Sequence, residues 1–181
     1  MAAMSDSIRR PTTDAAAADA RSRAPDPGRG IVEAIHLTAR GSVPMTGVER
    51  VRAIAGVGLE GDRYATGTGH YSGDAKVDRQ VTFIEAEEIE ALAGGFGIVL
   101  APGETRRNVT TRGIRLNELV ERRFRIGDVE CEGTRLCEPC QYLTDLLGKP
   151  ILAPLVHRAG LRARILTGGE ITLGDEVVVL D

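Results

Sequence analysis

The chain is 181 residues long, with 42% apolar and 27% charged residues and a formal net charge of -3. That length suits one domain with a short appendage; a domain of roughly 150 residues folds without disulfides or metal, and the acidic balance excludes a non-specific nucleic-acid binder. No apolar run reaches the roughly 18 to 20 residues of a membrane span, and the first 30 residues lack the apolar core of a secretory signal.

Residues 1–30 are rich in Ala, Arg, Asp and Pro and carry no useful apolar period. They are expected to form a disordered or weakly packed leader, with the domain proper over 31–181. From Ile31 the pattern changes: residues 31–37 read as a strand, and 47–54, with Val48, Val51 and Ile54, as another. The stretch Gly58-Leu59-Glu60-Gly61-Asp62-Arg63-Tyr64 and the glycine-rich 67–73 form a loop without the spacing of a phosphate-binding fingerprint.

Residues 79–85 are β-branched and aromatic, hence a strand. It runs into a helix over 86–93, with Ile89 and Leu92 on one face and the glutamates on the other; Gly94 and Gly95 are expected to stop it. All basic residues except Lys76 and Lys149 are arginine, and seven of them crowd into 104–125. There Arg106-Arg107-Asn108 follows the turn Pro102-Gly103 and precedes a β-like Val-Thr-Thr. Guanidinium forks suit phosphate or carboxylate, and the Asn adds a donor and an acceptor. Arg122 and Arg123 read as a solvated edge.

Short helices are expected at 116–120, 141–147 and 151–156, and strands at 129–135, 162–166 and 176–180. The phrases Phe124-Arg125-Ile126-Gly127-Asp128 and Ile171-Thr172-Leu173-Gly174-Asp175 repeat an apolar-Gly-Asp step, a tight turn between β segments. The fold class is mainly β with short helices, a barrel or sandwich rather than a parallel α/β fold.

Cys131, Cys137 and Cys140 lie within ten residues. An odd, closely spaced set is no extracellular disulfide framework, which points to a reducing, cytoplasmic location. Leu136-Cys137-Glu138-Pro139-Cys140 has several readings. Zinc would need a second ligand pair, and Cys131, His36, His70 and His157 offer no such spacing. A redox dithiol fits C-x-x-C but lacks its βαβ context. Cys140 can also be a single functional thiolate, as a soft metal ligand or a sulfur carrier, or simply a packed cysteine. His157 and two cations, Arg158 and Arg162, share a turn before a strand.

In order, Gly58-x-x-Gly61-Asp62-Arg63, Arg79-Gln80-Val81-Thr82, Arg106-Arg107-Asn108, Phe124-x-Ile126-Gly127, Glu138-Pro139-Cys140, Gly160-Leu161-Arg162-Ala163 and Gly174-Asp175 resemble the MOSC domain, the C-terminal domain of molybdenum cofactor sulfurase, in its compact stand-alone form. The resemblance spans about residues 31–181. It implies a β-barrel of mixed strands and binding of molybdenum cofactor, with Cys140 at the position of the family's metal-ligating cysteine. Arg106 and Asn108 match its cofactor-holding Arg-x-Asn element. Arg107, Asp62, Arg63, Arg79, His157 and Arg162 complete the expected cofactor-binding set. Two activities follow from the resemblance: reduction of N-oxygenated substrates or cofactor carriage on one hand, and sulfur transfer through a Cys140 persulfide on the other; Cys137, a thiol the family pattern does not need, would resolve that persulfide. A non-catalytic module for a phosphorylated ligand remains a third. A cysteine desulfurase or a reductase is the implied partner, and pyridoxal phosphate, which belongs to a separate desulfurase domain, is not expected.

Overall fold

The computed structural model describes residues 28–70, 72 and 77–180. The expected leader lies outside the described residues except for its last three, and two of those, Arg29 and Gly30, belong to the first strand.

Strand β1 (Arg29–Leu37) buries Val32 and Ile35, three positions apart. Strict alternation cannot place both on one face. A bulge resolves this: opposite β6 (Val109–Arg112), Val32 pairs with Thr111 and Ala34 with Thr110, leaving Glu33 as the extra residue. The strand expected over 47–54 divides at Glu49 into β2 (Thr46–Val48) and β3 (Arg50–Ile54), because the chain changes sheets there. β2 extends the main sheet beside β1, whereas β3 pairs with β4 (Gly58–Leu59) and β10 (Gly169–Thr172).

The remaining strands are β5 (Val81–Glu85), β7 (Arg123–Ile126), β8 (Val129–Leu136), β9 (Leu161–Thr167) and β11 (Glu176–Val179). Their order, β11-β7-β8-β9-β5-β6-β1, closes on itself through β1 and β11 into a seven-stranded barrel. All neighbours are antiparallel except β5 and β6, so the barrel is mixed. Phe83 and Phe124, both fully buried, meet edge to face inside it with centroids 5.4 Å apart.

Helix α1 (Ala86–Phe96) runs through Gly94 and Gly95 and stops at Gly97. Gly97 has φ 65°, and the N–H groups of Gly97 and Ile98 donate to Ala93 and Leu92 carbonyls. The stop is a left-handed cap, which needs one glycine in the right conformation rather than a pair anywhere. Glu88 is not on a solvent face: it is buried and accepts from Arg115 and Arg158. Arg79 sits in a 3-10 turn (Val77–Arg79), not in the strand. Helix α2 (Gln141–Leu147) forms as expected, while 151–156 contracts to a 3-10 turn (Ala153–Leu155). Leu92, Leu143, Ile151, Leu155 and Ala159 form a second small core outside the barrel. Among the described residues no helix is long and apolar enough to cross a membrane.

Candidate functional site

Cys140 is the residue before α2 and is half-buried, whereas Cys137, the residue after β8, is almost fully buried. Both line one cleft of about 770 Å³, part of it open to solvent, together with Arg63, Arg79, Arg106, Arg107, Arg162 and the carboxylate of Glu138. Five lining arginines against one glutamate make it an anion-seeking space.

The segment carrying Cys140 is tied down at several points. The Cys137 N–H donates to the Gly160 carbonyl at 2.7 Å. Gly160 has φ 104°, and a Cβ there would lie 1.8 Å from the Phe83 carbonyl oxygen; only glycine permits that approach. Arg107 forks from the opposite side: Nε donates to Ala159 O at 2.8 Å, one terminal nitrogen to Cys137 O at 2.8 Å and the other to Thr105 O at 3.1 Å. Its three nitrogens thus brace backbone while its flank lines the cleft.

Arg63 and Arg106 form one cationic group. Arg63 donates to Asp62 Oδ2 at 3.2 Å and to the Arg106 carbonyl at 3.1 Å. Arg106 has φ 61°, unusual for a residue with a Cβ, and its guanidinium donates to the Val43 carbonyl. Burial, and then the neighbouring Arg63, lowers the Arg106 guanidinium below its ordinary range.

Asp62 and Asn108 do not reach the cleft surface. Asn108 Oδ1 accepts from the Thr82 hydroxyl at 2.9 Å and from the Thr82 N–H at 3.2 Å. Its amide nitrogen donates to Asp62 Oδ2 at 3.0 Å and to the His36 carbonyl at 3.3 Å. Both residues are buried and satisfied, so they stand behind the cleft and fix Arg63 and Thr82 at its wall. His157 also lies outside the lining, on the solvent side of Glu138, with its ring Nδ1 2.7 Å from Oε1. Of the ten expected residues, seven line the cleft, and Asp62, Asn108 and His157 do not.

The sequence reading missed an aromatic rim. His70 and Tyr142 stack at 4.1 Å with rings 10° apart, and the Tyr142 hydroxyl meets Ser42 Oγ at 2.6 Å. Tyr64 packs under the Arg63 guanidinium at 4.8 Å. The available signal was composition: the chain holds three tyrosines and no tryptophan, Tyr64 directly follows Arg63, and Tyr142 lies two positions after Cys140.

Cys137 and Cys140 are both free thiols, and both line the cleft. Among the described residues, no cluster of His, Cys, Asp and Glu could hold a metal ion by itself.

A family model described as the MOSC domain matches residues 61–178. No curated protein matches this sequence. Among solved structures, the chain is similar to the YuaD protein from Bacillus subtilis at 18% identity and TM-score 0.69, covering 83% of this chain and 95% of that one. It is also similar to YiiM from Geobacillus stearothermophilus (16% identity, TM-score 0.65, 84% of this chain and 75% of that one). YiiM from Escherichia coli gives 17% identity and TM-score 0.62 over 86% of this chain and 71% of that one. At such identities the likeness shows the fold.

Proposed function

The chain belongs to the MOSC domain family, and from that premise we propose that its arginine-lined cleft binds molybdenum cofactor, with Cys140 as the metal's thiolate ligand, to reduce small N-oxygenated substrates. The family is associated with this cofactor. The observation that carries the reading is the sharing of one open cleft by the Cys140 thiol and the Arg63–Arg106 pair.

The residues present fit the group. A thiolate is a soft donor suited to molybdenum, and among the described residues no competing cluster of hard ligands surrounds it. Arg106 is half-buried beside a second cation, a like-charge contact that a dianionic pterin phosphate would relieve. Cys140 would hold the metal, Arg63 and Arg106 the phosphate. Arg107 would fix the Cys140 segment through the Cys137 carbonyl, and the His70–Tyr142 stack would shield the mouth from water. Bound there, the group supplies two-electron chemistry at the substrate's N–O bond; the protein supplies orientation and charge.

The test is co-expression with an intact cofactor pathway, followed by molybdenum and pterin analysis of wild type and Cys140→Ala. Wild type is expected to hold about one metal per chain, and Cys140→Ala to lose it. A wild-type protein without molybdenum overturns the reading. Loaded protein that fails to reduce an amidoxime with a chemical electron donor is a cofactor carrier rather than a reductase.

A further inference from the structure

Apart from Arg107, which braces backbone, the arginines lining the cleft belong to two groups, each arranged around its own carboxylate. Arg63 and Arg106 gather near Asp62. Arg79, Arg135 and Arg162 gather around Asp78, at the wall made by β5, β9 and the 3-10 turn before β5. In that wall Arg162 lies between Thr82 on β5 and Arg135 on β8 as their direct cross-strand partner. Arg135 donates to Asp78 Oδ2 at 2.5 Å, and Arg79 Nε stands 3.9 Å from Asp78 Oδ1. Burial alone would raise the Asp78 carboxyl, but Arg135, then Arg162 and Arg79, offset it and hold it below its ordinary range.

Three cations thus surround one anion. Arg162 and Arg135 are like charges placed opposite each other, an arrangement that is destabilising in a sheet unless an anion lies between them. Arg162 Nε is buried and, among the described residues, has no hydrogen-bond partner. Buried donors are nearly always paired, so an orphan at a cleft wall marks a missing acceptor. Arg79, Thr82 and Arg162 all line the cleft.

We propose that the Arg79–Arg135–Arg162 cluster around Asp78 is a second anion subsite, and that it takes a phosphate monoester carried by the substrate. This rests on the reading above, in which the cofactor's single phosphate occupies the Arg63–Arg106 group. The excess of two positive charges matches a phosphate dianion, and Arg162 Nε, the donor without a partner among the described residues, is the group that would meet it. Arg79 and Arg162, expected among the cofactor-binding residues, then select the substrate instead. The preferred substrates are phosphorylated compounds, with the reacting group directed along the cleft toward Cys140.

The experiment titrates inorganic phosphate by calorimetry into cofactor-free and molybdenum-loaded protein. Cofactor-free protein is expected to bind two phosphates per chain and loaded protein one. Arg162→Gln is expected to weaken the site that survives loading by about tenfold or more and to leave molybdenum and pterin content unchanged; Arg63→Gln removes the other site. Arg79→Gln reads the same subsite should Arg162→Gln fail to fold, as judged by circular dichroism. Loaded protein that binds no phosphate, or an Arg162→Gln protein that loses its pterin, overturns the inference by giving the cluster to the cofactor. If no preparation holds molybdenum, the cofactor reading falls by itself. The two-site titration of the cofactor-free protein still decides this inference: two separable sites sustain it, and one or none overturns it.

Discussion

His157 holds Glu138 at both carboxylate oxygens: its backbone N–H donates to Oε2 at 2.9 Å, and its ring Nδ1 lies 2.7 Å from Oε1. The pair links the turn before Gly160 to the segment carrying Cys140. Arg107 makes a parallel link from beneath, through Ala159 O and Cys137 O. The two ties differ in burial, and burial sets what each contributes.

The His157 and Glu138 side chains are 73% and 41% exposed. Solvent screens such a pair, so His157→Ala is expected to change stability by less than about 1 kcal/mol. Arg107 is 7% exposed and satisfies three carbonyls, and at about 1 kcal/mol per bond Arg107→Ala is expected to cost about 3 kcal/mol. Urea denaturation of the two variants checks the contrast; equal effects would mean that the buried fork is not the main brace.

Asn108→Ala is expected to destabilise the fold by about 2 to 4 kcal/mol. It removes a donor from the buried Asp62 carboxylate and the acceptor used by Thr82. Cys140→Ala, at a half-buried position, should leave the thermal midpoint nearly unchanged. A pair of melting curves separates a residue that builds the wall from one that serves the cleft.

The thiols should differ sharply in reactivity. Cys131 is fully buried inside the barrel, and burial pushes its thiol up to about 12, so the native protein should not alkylate there. Cys137 is 3% exposed and should react slowly. Iodoacetamide followed by peptide mass spectrometry is expected to label Cys140 first, and His157→Ala should accelerate that labelling by loosening one tie. Labelling of Cys131 before Cys140 would contradict the described packing.

Asp78 gives a pH signature. Its folded carboxyl titrates below its ordinary value of 3.8, so the unfolded chain takes up the proton first as pH falls. Its contribution to stability is therefore present above about 3.8 and is lost as pH falls through the lowered folded value. The stability difference between wild type and Asp78→Asn should be largest near neutrality and shrink in acid, as read from urea midpoints across pH. A difference that grows in acid would reverse the assigned sign.

Strand identity was legible because β-branched runs such as Val81-Thr82-Phe83-Ile84 advertise themselves. Their neighbours were not, since pairing β11 with β1 joins residues about 150 positions apart and no local pattern encodes that contact. The bulge at Glu33 and the sheet change at Glu49 break alternation where only the partner strands explain why. Within the site, residue type pointed to anion chemistry, but type alone does not separate a guanidinium that faces ligand from one that braces carbonyls. Arg106 and Arg107 are adjacent in sequence and have opposite tasks, because the left-handed backbone at Arg106 turns one outward and leaves the other packed. Asn108 likewise reads as a contact residue and is in fact wall structure.

Ring closure at β1 and β11 also bears on how the chain reaches its native state. On a ribosome β1 emerges early, yet its pairing with β11 waits until residues 176–179 have left the exit tunnel. Until then the partial sheet keeps an open edge, the kind of surface that invites association with other chains. Nascent chains halted before Glu176 should accordingly be the species that chaperones hold longest.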